Sequence, residues 1–255
     1  MLRFVFKDWQ SAGFCVMKYI YGPVKSRRLG LSLGISLTPY KICSFNCVYC
    51  QLGQTTQATR ERDEYIKIEE MLSELGSWLE NYGTDAKNLN YITISGSGEP
   101  TLNTKIGTAI SEIKKITSIP VAVITNSSLL NDASVRQALL PADLIIPSLD
   151  AISPKIFEKI NRPQKDTKIE EIIGGLINLK KEFRGKFWLE VMLASGINDD
   201  LRQIRKLKEI VDKINPDKIQ LNSPVRTTAE AGIKPLDKKK LAKIKEILGD
   251  NCEII

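Results

Sequence analysis

Cys43, Cys47 and Cys50 stand in the run CSFNCVYC, a C-x3-C-x2-C spacing. Three thiolates on so short a loop can converge on one metal centre, and thiolates suit iron–sulfur clusters and zinc. Both centres normally take four ligands, and the remaining cysteines, Cys15 and Cys252, are single and distant in sequence. A three-thiolate site leaves one iron of a cubane open, which a catalytic cluster needs if it is to hold a small molecule. Zinc knuckles usually pair two short Cys/His motifs, and only one such motif is present. The chain has no histidine. That excludes a Ser-His-Asp triad, a Cys-His pair, an HExxH zinc site and any histidine base.

The 255 residues are 42% apolar and 26% charged, with 16 Gly and 11 Pro, the composition of an ordinary globular chain with room for a sizeable core. Apolar runs such as Val121–Ile124 are far too short to cross a bilayer, and no membrane partner is expected. The opening residues MLRFVFKDWQ lack the long apolar segment of a secretory signal. Five cysteines without such a signal point to a reducing, cytoplasmic setting rather than a disulfide scaffold. The net charge of +7 and pI near 9.1 suit either a polyanionic partner such as nucleic acid or a Lys-rich solvated surface.

The elements that must position the cysteines alternate between short apolar strands and amphipathic helices. An early strand is expected within Leu31–Leu37, just before the cysteines, and others at 91–95, 120–125, 143–148, 186–194 and 218–221. Ile68, Met71, Leu72, Leu75, Trp78 and Leu79 share one helical face. Further helices are expected at 103–116, 131–140, near 153–161, at 168–182, after Asp199 and at 236–248. Such alternation implies parallel pairing through right-handed crossovers. The count is about six βα units, against eight for a closed TIM barrel, and an open doubly wound sheet fits the pattern too. In either geometry functional groups collect at the carboxyl ends of the strands. Residues 1–30 read as an N-terminal extension, of which 1–16 either precede the natural start or form an extra strand. Residues 31–255 read as one core domain.

The cysteine motif, with Tyr49 before its last cysteine, resembles that of the radical S-adenosylmethionine (radical SAM) enzymes. Gly98-Glu99-Pro100 is similar to their Gly-Gly-Glu-Pro motif, with Ser97 in place of the first glycine. Thr125-Asn126, Ser148-Leu149-Asp150, Gly196-Ile197-Asn198-Asp199 and Asn222 follow in the expected order at successive strand ends. The run YGPVKSRRLGLSLGISL before the cysteines resembles a branch related to tRNA wyosine-base synthases, without the three further N-terminal cysteines of their second cluster. The resemblance implies an α/β fold, a partial (β/α)6 TIM-like barrel of parallel strands. It also implies a [4Fe–4S] cluster on Cys43, Cys47 and Cys50, whose fourth iron is chelated by the amine and carboxylate of S-adenosylmethionine (SAM).

On that resemblance Glu99, beside Gly96 and Gly98, is expected to accept hydrogen bonds from the methionyl ammonium, or else to be a solvated turn residue. Thr125, Asn126 and Ser148 suit ribose hydroxyls, or cap their strand ends. Tyr49 and Phe45 pack on the cluster or adenine, or in the core. Asn222 sits where an adenine contact is usual. Glu190, in FWLEVMLA, points into the barrel toward ligand or forms a buried ion pair. Arg27, Arg28 and Arg226 border the expected cofactor mouth and suit an anionic substrate or the SAM carboxylate, or serve as surface arginines in local salt bridges. The implied activity is an oxidoreductase-type reductive cleavage of SAM to a 5′-deoxyadenosyl radical, fed by an electron donor such as flavodoxin or ferredoxin. The substrate is not named by the sequence, and RNA is among the candidates. The alternatives are an activating enzyme for a glycyl-radical protein partner and a non-catalytic iron–sulfur or zinc protein.

Overall fold

The computed structural model describes residues 17–255, so Cys15 and any strand within residues 1–16 lie outside the described residues. Strands β1 (Ile20–Ser26) and β2 (Gly30–Ser36) form an antiparallel hairpin. A two-stranded parallel ribbon follows, β3 (Ile42–Cys43) with β4 (Gln57–Ala58). The rest alternates: α1 (Ile68–Asn81), α2 (Gly83–Ala86), β5 (Tyr91–Ser95), α3 (Ile106–Ile116), β6 (Val121–Thr125), α4 (Ala133–Leu139) and β7 (Leu144–Pro147). Then come α5 (Pro154–Ile160), α6 (Ile169–Glu182), β8 (Lys186–Met192), α7 (Leu201–Ile214), β9 (Lys218–Asn222), α8 (Lys238–Leu248) and β10 (Cys252–Ile254).

The main sheet runs β1-β2-β5-β6-β7-β8-β9-β10, and every pairing after β1–β2 is parallel. The six expected strands are β2 and β5 to β9. This is a partial TIM-like α/β fold, with a hairpin strand on one edge and β10 on the other. Among the described residues no helix is long and apolar enough to cross a membrane.

Period-two alternation sorts the strand residues onto two faces. Leu33, Ile35, Ile92, Ile94, Val121, Val123, Ile145, Phe187, Leu189, Ile219 and Leu221 are buried against the helices in one large apolar core. The opposite face is mixed: Ala122, Leu144 and Ile146 pack with Leu29 from the hairpin tip, and Tyr91, Ile124 and Trp188 join them. Near the strand ends this second face turns polar, because Ser148 pairs with Glu190 and Glu190 with Gln220. A mostly polar-ended face beside a wholly apolar one leaves the first to carry chemistry. Helix starts follow their caps: Asp132 accepts from Ser134 N at 2.7 Å and Asp237 from Lys240 N at 2.9 Å. The cap of α7 is Asp200, while Asp199, expected at that helix start, receives Lys240 Nζ at 2.5 Å.

Candidate cluster and cofactor site

From the end of β2 the chain passes through residues 37–41 to Cys43, the last residue of β3. The loop beyond it is pinned by backbone to the segment after α5: Asn46 N donates to Asn161 O at 3.1 Å, Val48 N to Ile160 O at 3.0 Å and Gln164 N to Ser44 O at 2.8 Å. Phe45 and Val48 turn inward, and Phe45 meets Phe157 edge-on at 5.3 Å. Cys43, Cys47 and Cys50, spaced between these anchors, are left half-buried and free of disulfides.

The donor chemistry fits the implied cluster. Burial, and then the Glu99 carboxylate, push the Cys43 thiol up to about 12. Burial and Asp150 push Cys47 higher still. Such surroundings oppose a bare thiolate, so loss of these protons is coupled to arrival of a metal centre that supplies positive charge. Among the described residues no three His, Cys, Asp or Glu side chains close round a single ion. Three thiolates presented from one loop are the donor set that an iron–sulfur cluster takes.

The second strand-end motif touches the cysteine strand directly. Glu99 N donates to Ile42 O at 3.1 Å, and a Cβ added at Gly98 would lie 1.8 Å from that same oxygen. Only glycine permits this approach. Gly96 has φ +97° and sits over Ser36, where a Cβ would come within 2.9 Å of the serine side chain. Glu99 is 2% exposed, not a solvated glutamate. Its Oε1 accepts from Thr101 N at 3.1 Å, Thr101 Oγ1 at 2.6 Å and Thr125 Oγ1 at 2.6 Å; its Oε2 accepts from Asn126 N at 2.7 Å. Burial raises its pKa, opposed chiefly by the hydrogen bonds from Thr101 and Thr125 and from the backbone of Asn126. Thr125 is buried at 1% exposure and donates its hydroxyl proton to Glu99 Oε1.

Asn126 is turned toward the loop, donating from Nδ2 to Ser44 Oγ at 2.9 Å and to Cys43 Sγ at 3.5 Å. Tyr49 bonds to Asp150 Oδ2, and Asp150 also accepts from Asn161 Nδ2 at 2.7 Å and Met192 N at 2.9 Å. Burial lifts the Asp150 carboxyl to about 6. Tyr49, Asn126, Ser148 and Asp150 line a narrow cleft beside Phe45 and Asn161.

Glu190 and Asn222 meet one strand over: Asn222 Nδ2 donates to Glu190 Oε1 at 2.9 Å, and Ser148 Oγ lies 3.4 Å from Glu190 Oε2. The ion-pair alternative for Glu190 is the one realised, with Arg28 Nη1 at 2.6 Å and the two side chains 26% and 7% exposed. The arginine pair therefore does not stand open for an anion. Arg28 is engaged with Glu190, and Arg27 reaches Asn222 Oδ1 at 3.4 Å and Ile255 O at 3.0 Å. Arg226 donates to Gln51 Oε1 at 2.8 Å, next to Cys50. Asn161 is the site residue with no sequence signal: it follows α5 in an INRP stop, 114 residues from the cysteine it touches.

Comparison with known proteins agrees with this geometry. The radical SAM superfamily profile matches residues 37–208. A UPF0026 protein of Methanocaldococcus jannaschii is 36% identical over 239 residues, covering 92% of this chain and 74% of that protein. A Brachyspira hyodysenteriae protein named GTPase Obg is 43% identical over 237 residues, 93% of this chain but 34% of its own length. The chain thus spans about a third of that relative, and it holds no G-x4-G-K-[ST] phosphate loop of its own. Among solved structures, TYW1 with a lysine-pyruvate adduct bound superposes with a TM-score of 0.62 at 19% identity, over 96% of this chain and 88% of that one. A radical SAM methyltransferase from Sphaerobacter thermophilus gives 0.66 at 17%, over 88% and 65%. A family profile that takes in the cysteine loop and the strands β5 to β8 places this chain in the radical SAM superfamily, whose members bind a [4Fe–4S] cluster and SAM.

Proposed function

We propose that Cys43, Cys47 and Cys50 hold the cluster and that this chain cleaves SAM reductively to initiate a radical reaction on RNA. A cluster held there would supply the one electron that cleaves a C–S bond of the SAM sulfonium to methionine and a 5′-deoxyadenosyl radical. The observation that carries the reading is the hydrogen-bonded frame joining the cysteine loop to the ends of β5 and β6: Cys43, Asn126, Glu99 and Thr125 form one continuous chain of contacts. In it Glu99 keeps acceptor capacity on Oε2 for the methionyl ammonium, since three of its four bonds fall on Oε1. Gly96 and Gly98 let backbone approach the ligand. Asn126 and Ser148 face the cleft as ribose partners, with Tyr49 held on its wall by Asp150. Glu190 and Asn222 form the deeper, adenine-side wall. A low-potential donor such as flavodoxin or ferredoxin and a reducing cytoplasm suit this chemistry. Anaerobically reconstituted, reduced protein is expected to convert SAM to 5′-deoxyadenosine and methionine, and intact SAM after reduction of a four-iron protein would overturn the assignment.

The RNA part of the reading rests on where the charge lies. Helices α7 and α8, which pack together, carry ten Lys and Arg against Glu209, Asp212 and Glu246. Their net +7 equals that of the entire chain. Phosphate contacts weaken with salt at a log–log slope of about −0.7 to −0.9 each. Replacing Lys238, Lys239 and Lys243 by alanine is expected to make the slope of tRNA binding shallower by about two to three units. Replacing Arg27 and Arg28 leaves the slope unchanged, because Arg28 is committed to Glu190. No binding at low salt, or an unchanged slope in the triple-lysine variant, removes RNA from the reading and favours a protein substrate.

A further inference from the structure

We propose that Asn161 and Asn126 are positioning residues that donate N–H···S hydrogen bonds to Cys47 and Cys43 and thereby raise the reduction potential of the cluster. The inference rests on the cluster assignment above and deepens it. Asn161 Nδ2 lies 3.5 Å from Cys47 Sγ, and Asn126 Nδ2 lies 3.5 Å from Cys43 Sγ. Both distances suit a donor facing the large sulfur atom.

The orientation of each amide is fixed by its neighbours. Asn161 must turn its nitrogen toward Asp150, since a carbonyl there would face a carboxylate 2.7 Å away. Asn126 Oδ1 accepts from Ser128 N at 3.0 Å, which leaves its nitrogen for the loop. An amide has two N–H groups. Asn161 gives one to Asp150 and the other toward Cys47, with Tyr49 OH also at 3.5 Å; Asn126 gives one to Ser44 and the other to Cys43. Asn161 is 4% exposed and Asn126 half-buried, so water competes little for these donors. Among the described residues Cys50 receives no such side-chain donor.

The surroundings otherwise work against reduction. The carboxylates of Glu99 and Asp150 stand beside the cysteine loop, bonded to Asn126 and to Tyr49 and Asn161, where they oppose added negative charge. The one electron that a low-potential donor delivers adds negative charge that spreads onto the cysteine sulfurs. N–H donors aimed at sulfur stabilise that more negative state, and hydrogen bonds to the sulfurs are among the levers that set cluster potentials. Two of the three thiolates are so supported.

The test uses reconstituted full-length protein, with potential rather than turnover as the readout. An EPR-monitored redox titration of Asn161→Leu, which keeps the volume and removes the donor, is expected to give about a tenfold smaller reduced-to-oxidised ratio at the wild-type midpoint. For a one-electron couple that is a fall of about 59 mV. Asn126→Leu is expected to move the same way. An unchanged midpoint in variants that retain four irons overturns the proposal and leaves the asparagines as loop braces. Should Asn161→Leu fail to hold iron, resonance Raman on the wild type decides: Fe–S(Cys) bands that shift in D2O support the bonds, and bands that do not shift overturn them. A wild type that takes up no iron overturns the cluster assignment instead.

Discussion

Alanine in place of any one of Cys43, Cys47 or Cys50 is expected to abolish cluster assembly, whereas Cys252→Ala leaves it intact. Anaerobic reconstitution of the wild type should give about four iron and four sulfide per chain, as the cluster type requires. Its reduced EPR signal should change when SAM is added. The three thiols are not equivalent in surroundings, but they are equivalent in necessity: a cubane left with two thiolates is poorly held. Cys47 has the most costly thiolate, buried beside Asp150, and Cys43 shares its neighbourhood with Glu99. Cys252 is 1% exposed in β10, the edge strand of the main sheet, whereas Cys43 ends β3 of the separate two-stranded ribbon; the Cys252 thiol is pushed up to about 11 by burial. Its loss trims a packing contact of about 1 kcal/mol and touches no ligand. Stoichiometric zinc with no iron uptake would sink the cluster assignment.

What the sequence makes legible here depends on how local the cause is. The strands β6 and β7 are readable because buried parallel strands are continuous apolar runs, VAVIT and LIIP. The hairpin strand β1 is not, because its Gly-Pro pair and the register shift between Tyr21 and Val24 break the alternation. The two-residue strands β3 and β4 and the three-residue β10 are too short to carry any period.

The same division runs through the site. Cysteine spacing and the Gly98-Glu99-Pro100 run are local, and both stand where they were expected. Partner choice is not local. Arg28 and Glu190 are 162 residues apart, and Asn126 and Cys43 are 83 apart. Whether a strand-end hydroxyl faces ligand or protein, as with Thr125 on Glu99, is decided by which strands become neighbours.

Glu99→Gln is expected to weaken SAM binding by about ten- to a hundred-fold with iron content unchanged. The carboxylate is 2% exposed and accepts from four protein donors, so an amide has no comfortable orientation there. If its NH2 takes the Oε1 place, it faces three donors that need an acceptor. The lesser conflict puts NH2 at the Oε2 place, against Asn126 N alone. That is also the oxygen with acceptor capacity left for the methionyl ammonium, so the substitution sets a donor against a cation and removes the opposing charge. A hydrogen bond to a charged group contributes about 1.5–3 kcal/mol, which is the tenfold to hundredfold range in affinity. Isothermal titration of SAM into the reconstituted variant reads this directly, and its iron content shows whether the cysteine loop survived. A purely structural Glu99, capping the Pro100–Leu102 turn through Thr101 N, gives the opposite pattern: thermal stability falls while SAM affinity stays at the wild-type value, and that result would remove Glu99 from the ligand contacts.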